Sequence, residues 1–277
     1  MTVAALLALA AVGGVLLWRL AQEDGWPGRI GTPAVFGLLA AGLWEVACRG
    51  FGVPRVLLPP PSGISAAALS HGAVLGADLV QTVLRSVLPG YASGCAAGFL
   101  GALALDRSPF LRRGVLPLGS LAGAMPIVGI APIMVMWFGF DWPSKAAVVV
   151  VMTVFPMLVN TTAGLQQADA MGRDLMRSYA AGYWQTLVKL RLPAAMPFVF
   201  AALKLNASLA LIGAIIAEFF GTPIVGIGFR ISTEVARMNL DLVWAEIGMA
   251  ALVGSSAFVL LSLAERAVTF WHPSQHR

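Results

Sequence analysis

Long runs of apolar residues alternate with short polar segments along most of the chain. Several runs approach the roughly 20 apolar residues that an α-helix needs to cross a bilayer, and the glycines and prolines inside them are tolerated better by membrane helices than by soluble ones. The pattern predicts an all-α membrane protein, a polytopic helical bundle of six core spans with an extra N-terminal span. The seven predicted spans are Thr2–Leu17, Gly31–Ala47, Leu79–Leu105, Val115–Phe138, Ala146–Leu165, Ala194–Phe220 and Leu242–Ala264.

Composition supports a membrane protein and excludes several other classes. Of the 277 residues 58% are hydrophobic and only 11% are charged, whereas a soluble domain carries about a quarter charged residues to cover its surface. The net charge of +5 comes from basic residues that lie between the spans and form no patch with interleaved aromatics, so we expect no nucleic-acid partner. Cys48 and Cys95 lie in or beside apolar spans, so neither a disulfide nor a metal site is expected.

The basic residues fall unequally on the two sets of alternate loops. Because cytoplasmic loops are enriched in Lys and Arg, the richer set predicts a multi-pass protein of the bacterial inner membrane with an extracytoplasmic N-terminus and a cytoplasmic C-terminus. The richer set contains Arg19, Arg29, Arg107, Arg112, Arg113, Arg173, Arg177, Lys189, Arg191, Arg266 and Arg277, and the poorer set contains Arg49, Arg55, Lys145, Arg230 and Arg237.

Two predictions concern the N-terminus of the chain and the loop that follows the second span. The apolar N-terminus lacks a basic leading segment, and Arg19 follows it, which favours a retained anchor over a cleaved signal peptide. The external loop after the second span contains Pro59-Pro60-Pro61, which requires an extended backbone. The Ala-rich stretch Ile64–Leu75 then predicts a short interfacial helix.

Motifs for enzymatic chemistry are absent from the sequence. It contains no G-x-x-x-x-G-K-[ST] phosphate loop, H-E-x-x-H helix or G-x-S-x-G elbow. The histidines, His71, His272 and His276, all lie outside the spans. We therefore predict a protein that is not an enzyme and does not itself hydrolyse ATP.

The cytoplasmic loop 166–193 is the longest connection on its side of the membrane. Its first half predicts a helix with Leu175, Met176 and Tyr179 on one face. A Gly-Tyr-Trp break at 182–184 follows, and then a second helix that ends at Leu192-Pro193. Pattern alone leaves open whether the loop is an ordinary amphipathic connector or a compact element that projects from the membrane.

This loop resembles the cytoplasmic "EAA" loop of binding-protein-dependent ABC permeases. Asp174 stands at the position of the glutamate, and Pro193 follows nineteen positions later, as in the motif. Leu175 and Met176 replace the two alanines, and Ala180 replaces the usual glycine. Gly182 is then expected to supply the turn.

The resemblance extends from about Val53 over most of the chain, to the permeases of the nitrate, sulfonate and taurine type, which include riboflavin and hydroxymethylpyrimidine permeases. The segments that carry it are Leu58-Pro59-x-Pro61, Pro126 with Ala131-Pro132 and Trp137-Phe138-Gly139, Phe155-Pro156 with Asn160-Thr161, Ala217-Glu218-Phe219-Phe220-Gly221, and Gly226-Ile227-Gly228.

The resemblance implies a type I ABC importer permease with N-terminal spans in 1–50 and a transmembrane domain in 51–277. Its expected partners are a cytoplasmic ABC ATPase, an extracytoplasmic solute-binding protein, a second identical permease copy and the lipid bilayer. The chain itself is expected to bind no cofactor, since ATP and Mg²⁺ would be used by the ATPase. The residues expected to contact the ATPase, with small residues allowing close approach, are Asp174, Met176, Tyr179, Ala180, Ala181, Gly182, Trp184 and Pro193.

Polar and small residues inside the spans give further candidates. Gly90, Gly94 and Gly98 form a stripe that lets another helix approach closely, within one subunit or at a dimer interface. Asn160, Lys204 and Glu218 are candidates for the substrate pathway, because intramembrane polar groups are often functional. Helix–helix hydrogen bonding by Asn160, snorkelling by Lys204 and pairing of Glu218 with Arg230 are the structural alternatives.

Two other functions remain as alternatives at this point. An ion-coupled secondary transporter or channel would often show internal repeats and midplane charges, and no repeat is found. A non-transporting scaffold protein would leave the activity of a partner ATPase unstimulated. The solute itself is not determined by the sequence, although the runs Ala217–Pro223 and Gly228–Glu234 resemble riboflavin or hydroxymethylpyrimidine permeases more than sulfonate permeases.

Overall fold

The computed structural model describes residues 2–22, 25–123, 126–221 and 224–271. The regular structure of these residues is helical throughout, which confirms the predicted all-α class. The helices are α1 Thr2–Ala21, α2 Trp26–Gly50, α3 Pro61–Ser70, α4 Gly72–Arg107, α5 Pro109–Gly123, α6 Ile127–Phe138, α7 Trp142–Gln166, α8 Ala170–Ser178, α9 Tyr183–Glu218, α10 Ile227–Ala236 and α11 Leu240–Val268.

Six of these helices are long and apolar enough to cross a membrane: α1, α2, α4, α7, α9 and α11. The prediction of one span over Val115–Phe138 is wrong, because α5 ends at Gly123 and α6 begins only at Ile127. Pro126 precedes α6 and has no N–H to continue a helical ladder. The 12 residues of α6 reach about 18 Å at 1.5 Å per residue, well short of a hydrocarbon core of about 30 Å.

Two of the long helices contain a π-helical stretch immediately before a proline. Val80–Val87 precedes Pro89 in α4, and Leu187–Arg191 precedes Pro193 in α9. In each the helix is closed by a wide hydrogen bond, such as that from Leu192 N–H to Leu187 O, five residues back. The widened turn lets the helix continue through a proline that would otherwise break it. The prediction that Leu192-Pro193 ends a helix is therefore wrong.

The chain forms two compact units, Met1–Leu75 with Ile231–Gly248 and Gly76–Arg230 with Met249–Arg277. In the second unit α7 packs against α4 and α9. Most of the buried residues at these contacts are small or β-branched, which lets the helices approach closely. The clusters of buried residues in this core include Cys95 with Met157, Val199 and Ala202; Val149 with Ala210 and Ala214; Leu165 with Leu187 and Ala195; and Ala131 with Val148 and Ala217.

In the first unit α1 and α2 pack against each other, and the residues after α2 are held by polar contacts. Pro60 has the predicted extended backbone, with φ −70° and ψ 149°, whereas the prediction is wrong for Pro61, which is the first residue of α3. Glu45 accepts hydrogen bonds from the Ser62 N–H at 2.9 Å and the Ser62 hydroxyl at 2.7 Å. This contact caps α3, which corresponds to the predicted interfacial helix Ile64–Leu75. The predicted helix extends too far, because α3 ends at Ser70 and the residues from Gly72 belong to α4. The predicted division at residue 50 stays a prediction.

Candidate functional site

The loop 166–193 contains the short helix α8, a tight turn and the first residues of α9. Its apolar and aromatic side chains are largely exposed: Met171 is 78%, Tyr179 78% and Trp184 62% accessible. Leu175 lies on the same exposed side, whereas Met176 is half-buried. A short helix and turn with largely exposed apolar side chains are a candidate contact surface for another protein.

The turn after α8 is a Schellman motif. The Ala181 N–H bonds Met176 O and the Ala180 N–H bonds Arg177 O, both at 2.9 Å. Ala180 occupies the position that requires a left-handed backbone, with φ 51°, where glycine is the usual residue. The expectation that Gly182 supplies the turn is wrong, because Gly182 has φ −68° and is instead the N-cap of α9.

The start of α9 is fixed to the end of α4 by a hydrogen-bonded ion pair. Arg191 donates from Nη1 and Nη2 to the two oxygens of Asp106, at 2.7 and 2.5 Å, and from Nε to Leu165 O at 3.1 Å. Tyr183 donates its hydroxyl hydrogen to the same carboxylate at 2.8 Å. Bidentate pairing of this kind fixes orientation as well as distance, so the loop is firmly joined to the helices behind it.

Asp174, the residue at the motif glutamate, has a surface role in this structure. It pairs with Arg177 at 3.1 Å, and both side chains are more than two-thirds exposed. Asp174 does not cap α8, because Asp169 occupies the N-cap position. An exposed pair contributes little to stability, which leaves the carboxylate accessible to a partner.

At the opposite end of α9, Glu218 belongs to a buried polar cluster. Its carboxylate accepts hydrogen bonds from Thr82 Oγ1 and the Gly228 N–H, each at 2.7 Å. Asp78 accepts from the Gly226 N–H at 2.6 Å and pairs with Arg230 at 2.8 Å. Arg230 was the expected partner of Glu218, and it pairs with Asp78.

These side chains together cap the first turn of α10. Thr82 also accepts a hydrogen bond from the Ile227 N–H at 2.9 Å, so that three successive backbone donors are satisfied by side chains from α4 and α9. Carboxylates at a helix N-terminus also interact favourably with its dipole. Close by, the buried Lys145 donates to Phe140 O at 2.5 Å and to Gly221 O.

The other pathway candidates have local partners. Lys204 pairs with Glu265 at 2.7 Å and lies 5.6 Å from the ring centre of Phe258. Asn160 donates to Pro156 O of its own helix at 2.8 Å. The structure therefore does not bring Asn160, Lys204 and Glu218 together in one described cavity.

The glycine stripe of α4 faces α7 within the same chain. A Cβ added at Gly90 would lie 2.7 Å from Ala146 O, and one at Gly94 would meet the hydroxyl of Thr153. Gly98 similarly faces Val154 and Met157. Of the two alternatives for this stripe, the structure shows the contact within one subunit.

Sequence reasoning overlooked Asp106, Asp78 and Thr82, and treated Arg191 only as a topogenic charge. Asp106 had one usable signal, because it is an acid at the end of a span among arginines. Arg191 lies 85 positions from Asp106 in the sequence, and Arg230 lies 152 positions from Asp78. Pairs so far apart leave no local sequence pattern. His272, His276, Thr222 and Pro223 lie outside the described residues.

The six described helices that are long and apolar enough to cross a membrane and the exposed, apolar-tipped loop define an integral membrane protein with a candidate contact surface for another protein. Residues 90–270 match the family of binding-protein-dependent transport system inner membrane components, and the chain belongs to this family. It is the permease subunit of an ABC importer, a multi-pass protein of the inner membrane and not a catalytic enzyme. The family membership confirms the predicted resemblance.

Several relatives cover nearly the whole chain. The formylaminopyrimidine transport permease protein ThiX of Halalkalibacterium halodurans is 29% identical over 88% of this chain and 96% of its own length. The riboflavin transport system permease protein RibX of Chloroflexus aurantiacus is 27% identical over 92% and 95%, respectively. The putative aliphatic sulfonates transport permease protein SsuC of Bacillus subtilis is 27% identical over 91% and 90%.

Proposed function

We propose that this permease imports a small heteroaromatic solute, a thiamine-precursor pyrimidine or riboflavin, into the cytoplasm. A cytoplasmic ATPase subunit docks on loop 166–193 and hydrolyses ATP with Mg²⁺, while the permease chain binds no cofactor. An extracytoplasmic binding protein delivers the solute to the outer face. Two identical copies of the chain form the passage.

The exposed tip of the loop and its firm attachment to α9 support this function best. Tyr179 and Trp184 offer aromatic side chains of the kind that dominate protein interfaces. Asp106 and Arg191 join the loop to α4 and α9, so that a displacement of the tip is passed to the membrane helices. ATP-driven switching requires such a contact, because a partner can shift the permease between states only through different contacts in each.

The pairing of Lys204 favours an uncharged heteroaromatic solute over an anion such as taurine, another sulfonate or nitrate. Lys204 is the one cation among the three candidates for the solute pathway, and Glu265 neutralises it at 2.7 Å. The relatives named for a pyrimidine and for riboflavin agree with this inference. Each of them covers most of the chain.

The number of basic residues on each set of loops supports the proposed orientation, with the N-terminus outside and the C-terminus inside. The set assigned to the cytoplasm contains eleven Lys and Arg residues, and the set assigned to the outside contains five. Acidic partners are found on both sets, with Arg177 and Arg191 paired on the first and Arg49 and Arg237 on the second. The orientation therefore follows from the count of Lys and Arg, which is the quantity that the positive-inside rule uses.

Uptake into proteoliposomes that contain the chain, its ATPase and its binding protein tests the proposal. We expect uptake of labelled hydroxymethylpyrimidine or riboflavin only with ATP, and a fall of about tenfold or more for Tyr179→Ser and Trp184→Ser, because aromatic interface anchors carry much of the binding energy. Phe270→Ser is the matched control, since Phe270 is an exposed aromatic (68% accessible) outside the loop.

The outcomes separate the energy source from the solute. Uptake without ATP, or uptake unaffected by both loop variants, would contradict the proposed ATPase docking. ATP-driven uptake of taurine or nitrate in place of the heteroaromatic solutes would leave the docking intact and overturn the proposed substrate class. The ion-coupled alternative predicts uptake that collapses with the ion gradient instead.

A further inference from the structure

A groove lies where α4 ends and α5 begins, next to the Asp106–Arg191 pair that joins loop 166–193 to α4. It has a volume of about 460 Å³. Only Ser108 separates the two helices, and its hydroxyl accepts a hydrogen bond from the Leu111 N–H at 3.3 Å. The groove is lined by Leu105, Asp106, Pro109, Arg112, Arg113, Leu116 and Pro117.

The groove carries a net positive charge. Asp106 is its only acidic lining residue, and the guanidinium of Arg191 neutralises that carboxylate through two hydrogen bonds. Arg112 and Arg113 are exposed, and the structure gives neither an acidic partner among the residues it describes. The N-terminal end of α5 adds a partial positive charge to the same place. Two positive charges therefore face an open groove without a counter-charge from the chain.

The groove also has an apolar part at the level where a membrane span ends. The predicted span Leu79–Leu105 ends just before Arg107, and on that prediction residues 108–113 lie near the boundary between hydrocarbon and headgroups. Phe110 is 85% exposed beside the two arginines, and Leu105 and Leu116 form the wall below them. Aromatic side chains are favoured at this depth of a bilayer.

We infer that Arg112 and Arg113, with the groove behind them, bind the headgroup of an anionic phospholipid of the surrounding bilayer. The guanidinium groups have the planar donor geometry that matches phosphate oxygens. Leu116 and Phe110 lie where the glycerol and upper acyl carbons of such a lipid would pack. Basic pockets beside membrane helices on the cytoplasmic side are the kind of site that anionic headgroups occupy.

A membrane lipid accounts for this site better than a free phosphate ion does. A small anion would use the arginines alone and would gain nothing from an exposed phenylalanine and a leucine wall. A lipid uses both parts at once, because its phosphate and its apolar carbons belong to one molecule and the arginines and the apolar wall line one groove. The topogenic role of Arg112 and Arg113 requires only their charge and does not require a groove.

Native mass spectrometry of the full-length chain in mixed phosphatidylcholine–phosphatidylglycerol micelles tests the inference. We expect phosphatidylglycerol to be retained in preference to phosphatidylcholine, and its affinity to fall about fivefold for each arginine removed in Arg112→Gln and Arg113→Gln. The double variant Arg112→Lys with Arg113→Lys keeps the charge and loses the planar donors. Its affinity for phosphatidylglycerol should lie between that of wild type and that of the glutamine variants. Both arginines are exposed, so folding should be unaffected, and thermal unfolding in phosphatidylcholine alone verifies this.

The double variant Arg55→Gln with Arg266→Gln is the matched control, because it removes two exposed charges elsewhere. It should retain phosphatidylglycerol as wild type does. Equal losses in the control and test variants would show diffuse surface charge instead of a site and overturn the inference. Unchanged retention in the glutamine variants, or complete displacement of the lipid by millimolar inorganic phosphate, would also overturn it.

Discussion

Ala180 shows how one residue can keep a family conformation without the family residue. It has φ 51° and stands where the motif has glycine, yet both hydrogen bonds of the Schellman turn are formed. A Cβ in the left-handed region costs about 1 kcal/mol or more. The turn therefore stores a small strain that the rest of the loop balances.

Replacement of Ala180 by glycine should raise the free energy of unfolding by about 0.5–1 kcal/mol, because glycine adopts this conformation without strain. Ala181→Gly is the matched control, since Ala181 is the next residue and has no positive φ. That change should lower stability, through the greater entropy of the unfolded glycine chain. Thermal or denaturant unfolding in detergent measures both, and equal effects of the two changes would contradict the strain.

For individual residues, the sequence predicted which side chains are exposed better than it predicted which side chains pair with each other. Tyr179 and Trp184 were expected on the contact surface and are exposed, because short polar loops leave aromatics few places to be buried. The partners of Lys204 and Glu218 could not be predicted, since Lys204 pairs across 61 positions and Glu218 across 136. Only the packing of α4, α9 and α11 brings such residues together.

At the scale of elements, the glycine stripe of α4 determines how closely α7 approaches. A Cβ at Gly94 would meet the Thr153 hydroxyl and lie 3.0 Å from Val150 Cα. The neighbouring atoms belong to backbone or to a β-branched side chain, so they cannot move aside easily.

Gly94→Ala should therefore destabilise the protein by about 1–3 kcal/mol, as overpacking of a tight helix contact does. Gly248→Ala in α11 is the control, because nothing lies within 4 Å of a Cβ there. That change should be neutral or stabilising by up to about 1 kcal/mol. A neutral Gly94→Ala, measured by thermal unfolding of the purified chain, would contradict the α4–α7 contact.

The N-terminus of α10 depends on side chains from other helices. Asp78 and Thr82 accept the Gly226 and Ile227 N–H groups, and Glu218 accepts that of Gly228. Without these acceptors the buried donors would be unsatisfied, at about 1–3 kcal/mol each.

Asp78→Ala and Thr82→Val should each speed hydrogen exchange at amides 226–228, because the first turn of α10 opens more often without its caps. Ser262→Ala is the control, since its hydroxyl bonds only Phe258 O within α11. Hydrogen-exchange mass spectrometry of the purified chain gives the rates. Unchanged protection at 226–228 in both test variants would show that the caps do not stabilise this turn.

The predicted element boundaries were wrong mainly at prolines. The sequence rule that Leu-Pro ends a helix fails at Pro193, where the preceding π-helical stretch accommodates the proline. The more general rule that a proline interrupts a helix would have given the correct boundary at Pro126, where the predicted span Val115–Phe138 is interrupted. A proline in a membrane helix is read correctly only when the hydrogen bonding of the preceding turn is known.

At the scale of the whole molecule, α9 connects the two polar regions of the second unit. It begins at Tyr183, beside the loop tip, and ends at Glu218, in the cap of α10. Its 36 residues span about 54 Å at 1.5 Å per residue. Movement of the loop by an ATPase would therefore be transmitted along one continuous helix to the residues that hold α10.

Site-specific cross-linking in the assembled importer tests most directly whether loop 166–193 contacts the ATPase subunit. The native cysteines, Cys48 and Cys95, are both buried, so that a cysteine placed by Tyr179→Cys is the main reactive thiol. Phe51→Cys, in the loop that we propose to be external, is the control. The account predicts that position 179 cross-links to the ATPase subunit and position 51 does not. An importer that remains active in ATP-driven uptake while position 179 gives no cross-link to the ATPase would contradict it.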